Sequence, residues 1–490
     1  MSDALWHEKR LLIDGKLVDA ADGATFENVN PATEEVIGVA ADGSAADMDA
    51  AIAAARRAFD TTTWSTDHAF RVQCLRQLHQ AMQKHADDLR STTVAEVGCP
   101  VSLTYGAQLD SPIEGIAWLA DVVENYQWEH DLGVSTPFGI PSHRYTWREA
   151  VGVVGAITPW NFPNQINLAK VVPALGAGNT VVLKPPPDTP WTALLLGKVI
   201  AEETDIPAGV VNIVTSAKHE VGAQLSADPR VDMVSFTGST ATGRRIMAAG
   251  AETIKKVFLE LGGKSASIVL DDADLATAAA GVAFQITSHA GQGCAITSRW
   301  VVPRAKYDEA VDTLVQMLGQ FPYGDPTDPS MMMGPLVREG QRKRVLGYIE
   351  KAKAEGAKIA LGGGVPAHLP KGYFVEPTVL VGVDQNATVA QEEIFGPVLA
   401  VIAHDGDDDA VAIANNSVYG LSGAVFSSDV DRARAVARRI RTGTMGVNGG
   451  IYYGPEVPFG GYRQSGVGRE MGIAGFEEYL EIKSVAEPAS

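Results

Sequence analysis

Five short apolar runs, separated by stretches of helical length, dominate residues 151–270. In chain order they are VGVVGAI, TVVLK, VVNIV, VDMVSF and VFLEL. Short runs rich in β-branched residues indicate buried strands, and their alternation with helices indicates parallel pairing through helical crossovers. We therefore predict an α/β fold with a doubly wound parallel sheet, whose ligands bind in the loops at the carboxyl ends of the strands.

A second alternating series follows this region. Its apolar runs lie near 299–303, 358–361, 398–403, 421–426 and 444–447, and its helical segments near 305–318, 338–354, 408–416 and 429–441. The 490 residues are also too many for one hydrophobic core, since cores stop growing at about 250 to 300 residues. These observations predict a second doubly wound α/β lobe.

Helices are also predicted before residue 100. Ser44 is followed three residues later by Asp47, which is the spacing of a capping box, so a helix is expected to begin there. The segment 68–97 reads as one further helix. Glycines and prolines between 133 and 142 indicate a loop, and the alternation after them indicates an exposed strand at 143–148.

Composition disfavours several classes of protein. Hydrophobic residues make up 46% and charged residues 20%, as in ordinary globular proteins, and the net charge of -19 argues against a nucleic-acid partner. Three scattered cysteines are too few for a disulfide framework or a metal cluster, which favours a reducing compartment. The start, MSDALWHEKRLLIDG, is unlike a secretory signal and no run reaches about 18 apolar residues, so we expect a cytoplasmic protein without a membrane span.

Candidate ligand-binding groups follow four of the predicted strands. Asn161 lies in TPWNFP, Lys184 ends VVLK, FTGSTATG leads from a strand into a helix, and Glu260 begins ELGGKS. Glycines before a helix N-terminus suit a pyrophosphate, a lysine there suits a ribose or phosphate, and a carboxylate could activate water. Each group also has an ordinary interpretation: a turn asparagine, a solvated lysine, a helix-entry turn and a surface glutamate.

Cys294 is the candidate nucleophile. It lies among small residues in HAGQGCAITSR, which leave room for a substrate carbonyl to reach the sulfur. Thiolate chemistry needs such access together with nearby donors. A buried inert cysteine is the ordinary alternative, and we keep that interpretation for Cys74 and Cys99.

These motifs, in this order, resemble those of the aldehyde dehydrogenase superfamily. The resemblance runs from LLIDGKLVDA through TPWNFP, ELGGKS, GQGC and EEIFGPV to PFGGYRQSGVGRE. It implies an aldehyde dehydrogenase-like fold, with two doubly wound α/β lobes and an oligomerisation strand extension. It also implies NAD(P)-dependent, hydrolytic oxidation of an aldehyde to a carboxylic acid.

The resemblance gives five residues a role in the reaction. Cys294 attacks the aldehyde, and the amide of Asn161 holds the oxyanion together with the cysteine's own backbone N–H. Hydride transfer to the nicotinamide leaves a thioester, which water activated by Glu260 hydrolyses. Lys170 and Glu470 match a proton-exit pair, for which a structural ion pair is the ordinary alternative.

The cofactor site is implied in the same way. Lys184 and Glu393 would hold ribose hydroxyls and Ser239 the pyrophosphate. Trp160 would adjoin the cofactor and Phe395 the nicotinamide. The remaining cofactor positions are Thr158, Pro187, Gly238, Gly243 and Leu261. No metal is implied.

Pro187 bears on the choice between NAD and NADP. In many NAD-preferring relatives, the residue three positions after the matching lysine is a glutamate that binds ribose hydroxyls and repels a 2′-phosphate. Proline does neither, so the usual discrimination against NADP is missing. We predict NAD as the preferred cofactor, with weak discrimination against NADP.

The implied substrate pocket consists of Phe162, Ile166, His289, Gly293, Ala295, Tyr453 and Phe459. Gly293 and Ala295 are small, so the pocket would admit a bulky aldehyde. His289 stands five residues before Cys294, but the family activates its thiol without histidine. We therefore interpret His289 as a polar lining residue and not as half of a Cys–His dyad. No motif fixes which aldehyde is the substrate.

The resemblance also divides the chain into domains. Residues 1–127 and 151–262 would form the dinucleotide-binding domain and residues 263–462 the catalytic domain. Residues 128–150 and 478–490 match oligomerisation strands. Exposed edge strands invite pairing between subunits, so a homodimer or homotetramer is expected.

Two functions of other classes fit parts of the sequence. A thioesterase or hydrolase would use Cys294 and Glu260 without a redox step, but GSTATG, Lys184 and Glu393 would then have no purpose. A binding protein on a retired enzyme fold would usually have lost its nucleophile or base, and both are present. Glu260 also argues against the CoA-acylating relatives, which typically lack it.

Overall fold

Four sheets are formed by the strands of residues 5–489, the part of the chain that this computed structural model describes. The strands are β1 (Leu11–Ile13), β2 (Lys16–Val18), β3 (Thr25–Val29), β4 (Val36–Ala41), β5 (Glu129–Ser135), β6 (Ser142–Ala150), β7 (Val153–Ile157), β8 (Thr180–Lys184), β9 (Val211–Ile213), β10 (Met233–Thr237), β11 (Lys256–Glu260), β12 (Ala266–Val269), β13 (Arg299–Pro303), β14 (Lys358–Leu361), β15 (Thr378–Val381), β16 (Val398–His404), β17 (Gly423–Phe426), β18 (Gly446–Val447), β19 (Gly466–Val467) and β20 (Leu480–Pro488).

Helices cover and connect these strands. The α-helices are α1 (Ala45–Thr61), α2 (His68–Lys84), α3 (Ala86–Val97), α4 (Val101–Thr104), α5 (Asp110–Asn125), α6 (Pro163–Ala177), α7 (Pro190–Glu203), α8 (His219–Ala227), α9 (Thr240–Gly250), α10 (Leu275–Thr287), α11 (Tyr307–Leu318), α12 (Glu339–Ala354), α13 (Thr388–Gln391), α14 (Asp407–Asn415), α15 (Val430–Ala437) and α16 (Gly472–Glu477). Short 3-10 helices lie at Pro137–Gly139, Ser288–Gly291, Arg304–Lys306 and Arg463–Ser465. Within residues 5–489, no helix is both long and apolar enough to cross a membrane.

The first sheet has the strand order β19-β11-β10-β7-β8-β9-β1-β2. Strands β7 to β11 are the five predicted runs, and they pair in parallel through the crossover helices α6 to α9. β1 pairs antiparallel with β9, and β19 pairs antiparallel with β11 at the opposite edge. The predicted doubly wound sheet is therefore confirmed.

The second sheet has the order β14-β15-β16-β13-β12-β17-β18 and is parallel except for the edge strand β14. The predicted second α/β lobe is confirmed. The sequence pattern did not predict β12 and β15, which are only four residues each. Both strands are almost wholly buried, and a strand covered on both faces lacks the alternation of apolar and polar residues that marks a half-exposed strand.

Strand register places the predicted site loops at one edge of the first sheet. Ile157 is opposite both Lys184 and Phe236, and Thr237 is opposite Glu260. Because these neighbouring strands are parallel and nearly level, the loops that follow them open on the same side.

A third sheet, ordered β20-β6-β5, contains the segments expected to oligomerise. β6 and β20 pair antiparallel over their full length, from Ser142 opposite Pro488 to Ala150 opposite Leu480. Several large apolar side chains on this sheet and its loop are exposed: Leu132, Val134, Phe138, Ile140, Trp147 and Ile482. The segment 143–148 is therefore a strand as predicted, although most of its residues are half-buried.

The helices near the N-terminus confirm one prediction and correct another. The capping box at the start of α1 is present, with the backbone N–H of Ser44 donating to Asp47 Oδ2 over 2.8 Å. The single helix predicted for 68–97 is wrong, because α2 and α3 meet at a non-helical His85. The ring of His85 contacts the Glu203 carboxylate and stacks on Trp6, and these tertiary contacts interrupt the helix.

Candidate active site

The loop that bears the thiol has an unusual backbone. It follows α10 through the 3-10 helix Ser288–Gly291, in which His289, Ala290 and Gly291 all have positive φ. Gly291 lies against the Gly396 carbonyl, where a side chain would not fit. Such conformations persist only where surrounding contacts hold them, and they are common at functional sites.

Cys294 is half-buried at the end of this loop and is packed against the loop after β11. The position of a side chain at Gly263 would be 2.5 Å from the Cys294 carbonyl oxygen, so only glycine allows this approach. Burial, followed by the carboxylates of Glu260 and Glu393, raises the pKa of the Cys294 thiol. A raised pKa favours the protonated thiol, so a base would have to take its proton before the sulfur could act as a nucleophile.

The other two cysteines are buried in the apolar core. Burial raises the pKa of both Cys74 and Cys99 to about 12. A buried, protonated thiol is inert, so this agrees with their interpretation as packing residues.

Asn161 points its amide at the thiol loop. It is buried, and its Nδ2 donates to the carbonyl of Gln292 over 2.9 Å, two residues before Cys294. Gln108 Nε2 donates to the Asn161 carbonyl over 2.8 Å and fixes the loop from the opposite side. One N–H of the amide therefore remains for a further acceptor.

Glu260 ends β11 with a side chain that is 2% exposed. Neither of its carboxylate oxygens accepts a hydrogen bond from another residue within 5–489. Burial, followed by the charge of Glu470, raises the pKa of Glu260 well above its usual value, whereas Lys170 and Arg469 act in the opposite direction. A carboxylate in this state is a stronger base than one in water.

Lys170 and Glu470 form a buried ion pair. Lys170 Nζ donates to Glu470 Oε1 over 3.0 Å and to Ser235 Oγ over 3.2 Å. Ser235 in turn shares a 3.0 Å hydrogen bond with the hydroxyl of Tyr479. The backbone of Glu470 pairs with that of Phe459 through two 2.7 Å hydrogen bonds, which fixes the position of the carboxylate.

Glu393 lies beside the loop that follows β11. Its Oε1 accepts from the backbone N–H of Gly263 over 3.0 Å, and burial raises its pKa to about 7. Phe395, two residues later, has a φ of 63° and its ring meets that of Trp160 edge to face at 5.3 Å. This conformation is held in part by Gln341 Nε2, which donates to the Phe395 carbonyl over 2.7 Å.

Lys184 ends β8 and is 6% exposed, and burial lowers its pKa to about 8. Pro187 follows in the same loop, half-buried. The next residue, Asp188, forms a salt bridge with Arg338 at the start of α12. An arginine from a distant part of the chain therefore reaches this loop.

The remaining cofactor positions gather near the start of α9. Ser239 is the N-cap of α9, and its Oγ accepts from the backbone N–H of Thr242 over 3.2 Å. Gly238 precedes it. A side chain at Gly243 would be 2.7 Å from Leu261 Cδ2, so this glycine allows helix and strand to pack closely. Thr158, at the end of β7, is buried and donates through Oγ1 to Asn167 Oδ1 over 2.7 Å.

The predicted pocket residues lie on the thiol loop, at the start of α6 and in the segment 453–459. Phe162 and Ile166 lie at the start of α6, whereas Gly293 and Ala295 flank Cys294 and are half-buried. His289 is 1% exposed and meets the Phe162 ring edge to face at 5.4 Å. Burial lowers the pKa of His289 to about 3, so its imidazole is neutral and cannot pair with a thiolate as a cation. The hydroxyl of Tyr453 contacts Gln165 on α6, and Phe459 pairs with Glu470.

Comparison with known proteins identifies this arrangement. The model of the aldehyde dehydrogenase family matches residues 17–485. The chain belongs to the aldehyde dehydrogenase family. It is 42% identical over 481 residues to the 3-succinoylsemialdehyde-pyridine dehydrogenase of a Pseudomonas species, covering 97% of this chain and 98% of that protein. The crystal structure of betaine aldehyde dehydrogenase from Staphylococcus aureus in complex with NAD+ superposes with a TM-score of 0.95 at 35% identity, covering 98% of this chain and 94% of that one.

This aldehyde dehydrogenase is an oxidoreductase that oxidises an aldehyde with a nicotinamide cofactor. Its own residues fit such a cofactor. A buried lysine, a helix N-terminus and the Glu393 carboxylate lie along the carboxyl ends of parallel strands, where dinucleotides bind in open α/β sheets. Among residues 5–489, no group of three or more His, Cys, Asp or Glu side chains could hold a metal ion.

The site of this aldehyde dehydrogenase also depends on residues that the sequence did not single out. Gln292 positions Asn161, and its own Oε1 accepts from the Val337 backbone N–H over 2.9 Å. The position of Gln292 within the GQGC motif could have indicated that it belongs to the site. Gln341 and Tyr479 are far from every motif, and only the folded chain brings them to Phe395 and Ser235.

Proposed function

We propose that Cys294 carries an acyl group during aldehyde oxidation, and that Asn161 and Glu260 act on it in turn. The observation that supports this most directly is the packing at the thiol. The Asn161 amide is fixed beside the loop that bears Cys294. The buried carboxylate of Glu260, which has no hydrogen-bond partner within residues 5–489, ends β11, and the loop after β11 packs against Cys294.

In the first half of the reaction, the sulfur of Cys294 bonds to the aldehyde carbon and the thiol proton leaves to a base. The carbonyl oxygen becomes an oxyanion. The free N–H of the Asn161 amide and the Cys294 backbone N–H would stabilise that charge, a contribution that is typically worth about 10²- to 10³-fold in rate per donor. Lys184, Ser239 and Glu393 would hold NAD+, which would supply the acceptor for the hydride that leaves the same carbon, so that a thioester remains on Cys294.

In the second half, Glu260 takes a proton from water as the water oxygen bonds to the thioester carbon. The carbon–sulfur bond then breaks, and the products are the carboxylic acid and the Cys294 thiolate. The raised pKa of Glu260 makes it a base suited to this step. Glu470 and Lys170 are close enough to Glu260 for their charges to act on its pKa, and they would receive the proton from it. Lys170 also hydrogen-bonds to Ser235, which shares a hydrogen bond with the Tyr479 hydroxyl.

Glu260→Gln tests this division of roles. The amide cannot accept a proton from water, so a rapid burst of reduced cofactor should precede a slow steady state, and the acylated protein should be visible by mass spectrometry. Glu252→Gln is a matched control on an exposed residue between α9 and β11. A variant with neither burst nor adduct would mean that Glu260 acts before hydride transfer.

The division into domains belongs to the same proposal. Residues 1–127 and 151–262 contain the sheet at whose edge Lys184 and Ser239 lie, which supports dinucleotide binding there. Residues 263–462 bear Cys294 and Glu393. The short strand β19, at 466–467, returns to the first sheet and joins the two lobes beside Glu260.

The three-stranded sheet supports a proposed homodimer or homotetramer. It consists of β5, β6 and β20, which lie in the two segments that the sequence predicted to oligomerise, and both β5 and β20 are unpaired edges among residues 5–489. Exposed edges with exposed apolar side chains commonly pair with another subunit. Light scattering of the purified protein measures the mass of the oligomer directly.

We also propose a cytoplasmic location. Three cysteines that form no disulfide support it, because a reducing compartment keeps thiols free.

A further inference from the structure

A cavity of about 370 Å³ lies between α5, α6 and the loop at 453–456, and none of the reaction steps uses it. It continues the face of α6 that begins beside the nucleophile. The ring of Phe162, the N-cap of α6, is 4.0 Å from where a side chain at Gly293 would lie. Gln165, Ala169 and Val172 follow Phe162 at helical spacing and line the cavity, which therefore extends roughly 5 to 15 Å along the helix from Phe162.

The shape of this cavity suits a flat, bulky group. Trp118, Tyr453 and Phe476 contribute aromatic side chains to its lining. Ala169 and Gly115 are the small residues of α6 and α5 that face it, so neither helix fills the space between them. An aromatic body attached to an aldehyde would bury its faces here, and such contacts are favourable beyond the area they bury.

The lining of the cavity carries negative charge and no positive charge. Glu456 is its only charged side chain, and no lysine or arginine within residues 5–489 contributes to it. A carboxylate that entered would lose its water without gaining a cation, and Glu456 would repel it. A neutral or cationic group meets neither obstacle, and a cation would also be attracted to the aromatic faces.

We propose that this enzyme selects bulky aldehydes with an aromatic body and without a negative charge at the end remote from the carbonyl. The selection rests on the proposed function, because the cavity discriminates only among molecules whose carbonyl reaches Cys294. Gln165, whose side chain contacts the Tyr453 hydroxyl, is a polar member of the lining and lies on the turn of α6 that follows Phe162.

Three cinnamaldehydes with different para substituents test the selection: a methyl ester, a trimethylammonium group and a carboxylate. The formation of reduced cofactor gives kcat/KM for each, with propanal as a small reference aldehyde. The ester and the cation should exceed the carboxylate by at least about tenfold, which corresponds to about 1.4 kcal/mol. Equal efficiencies, or a preference for the carboxylate, would overturn the proposal.

Two variants and one control variant test whether the selection arises in the cavity. Glu456→Gln should raise kcat/KM for the carboxylate about threefold, as expected for an exposed charge. Glu114→Gln, an exposed acid on α5 outside the lining, should change nothing. Ala169→Trp should lower the efficiency ratio of the ester to propanal at least about tenfold, because the indole would occupy the cavity. An unchanged ratio would overturn the assignment of the aromatic body to this space.

Propanal separates this proposal from the one on which it rests. If wild-type enzyme oxidises propanal but does not discriminate among the cinnamaldehydes, only the substrate selection fails. If propanal oxidation persists without Cys294, the proposed reaction itself fails.

Discussion

Lys170 Nζ donates to Glu470 Oε1 over 3.0 Å at a position that solvent does not reach, with the two side chains 300 residues apart in the chain. The charges of this pair act oppositely on Glu260, whose pKa Glu470 raises and Lys170 lowers. Burial is the largest cause of the raised pKa of Glu260, and the two charges of the pair modify it in opposite directions. The pair also joins α6 to the C-terminal segment.

Lys170→Met and Glu470→Gln should consequently move the pH dependence of thioester hydrolysis in opposite directions. Without the ammonium the pKa of Glu260 rises further, so the hydrolysis limb moves to higher pH. Without the Glu470 carboxylate the pKa of Glu260 falls, so the hydrolysis limb moves to lower pH. The rate of single-turnover thioester hydrolysis, measured from about pH 5 to about pH 10, gives the pH dependence of each variant. Shifts in the same direction would contradict electrostatic coupling through the pair.

The stability of the same variants provides a second test. Lys170→Met leaves Glu470 buried without a partner and should lower the free energy of unfolding by about 3 to 5 kcal/mol. Lys170→Met combined with Glu470→Leu removes both charges and should recover a large part of that loss. Urea unfolding measures each value, and a double variant less stable than Lys170→Met would contradict this account.

The affinity for NAD+ should be highest between pH values of about 7 and 8. Burial raises the pKa of Glu393 to about 7, so below that pH its carboxyl is protonated and is a poorer acceptor for ribose hydroxyls. Burial lowers the pKa of Lys184 to about 8, so above that pH its ammonium is lost. Dissociation constants across this range should describe a bell. Glu393→Gln should flatten its acid side, and a curve unaffected by that variant would contradict the assignment.

Pro187→Glu should increase the preference for NAD+ over NADP+. A glutamate there would accept hydrogen bonds from ribose hydroxyls and repel a 2′-phosphate, and a gain of about 1.4 kcal/mol corresponds to tenfold. Pro186→Glu, one residue nearer to Lys184, is the positional control. The measurement is the ratio of kcat/KM with NAD+ to kcat/KM with NADP+, for the wild type and both variants. A wild-type preference for NADP+, or a ratio unchanged by Pro187→Glu, would show this interpretation of Pro187 to be wrong.

Local pattern was sufficient to predict the half of the site that strand ends provide. Asn161, Lys184 and Glu260 each follow a short β-branched run, and parallel pairing brings the ends of such runs together whatever lies between them. The break at His85 could not be predicted in this way, because its ring contacts residues far away in sequence.

The parts of the site that local pattern did not predict depend on contacts between segments that are far apart in the sequence. Nothing in the sequence near Asp188 indicates that Arg338 reaches it, and nothing near Phe395 indicates Gln341. The Lys170–Glu470 pairing and the position of Glu393 came from family resemblance and not from the residues themselves. Of the cavity along α6, only Tyr453 was expected from family resemblance, since Ala169 and Gly115 are ordinary helix residues until the two helices face each other.

Cys294→Ala tests the central claim most directly. The side chain that would bear the acyl group is removed, whereas Lys184, Ser239 and Glu393 remain in place for NAD+. The account predicts that aldehyde-dependent formation of reduced cofactor disappears while the dissociation constant for NAD+ stays within a few-fold of wild type, and that Cys74→Ala retains turnover. Substantial aldehyde oxidation by purified Cys294→Ala protein would contradict the covalent mechanism.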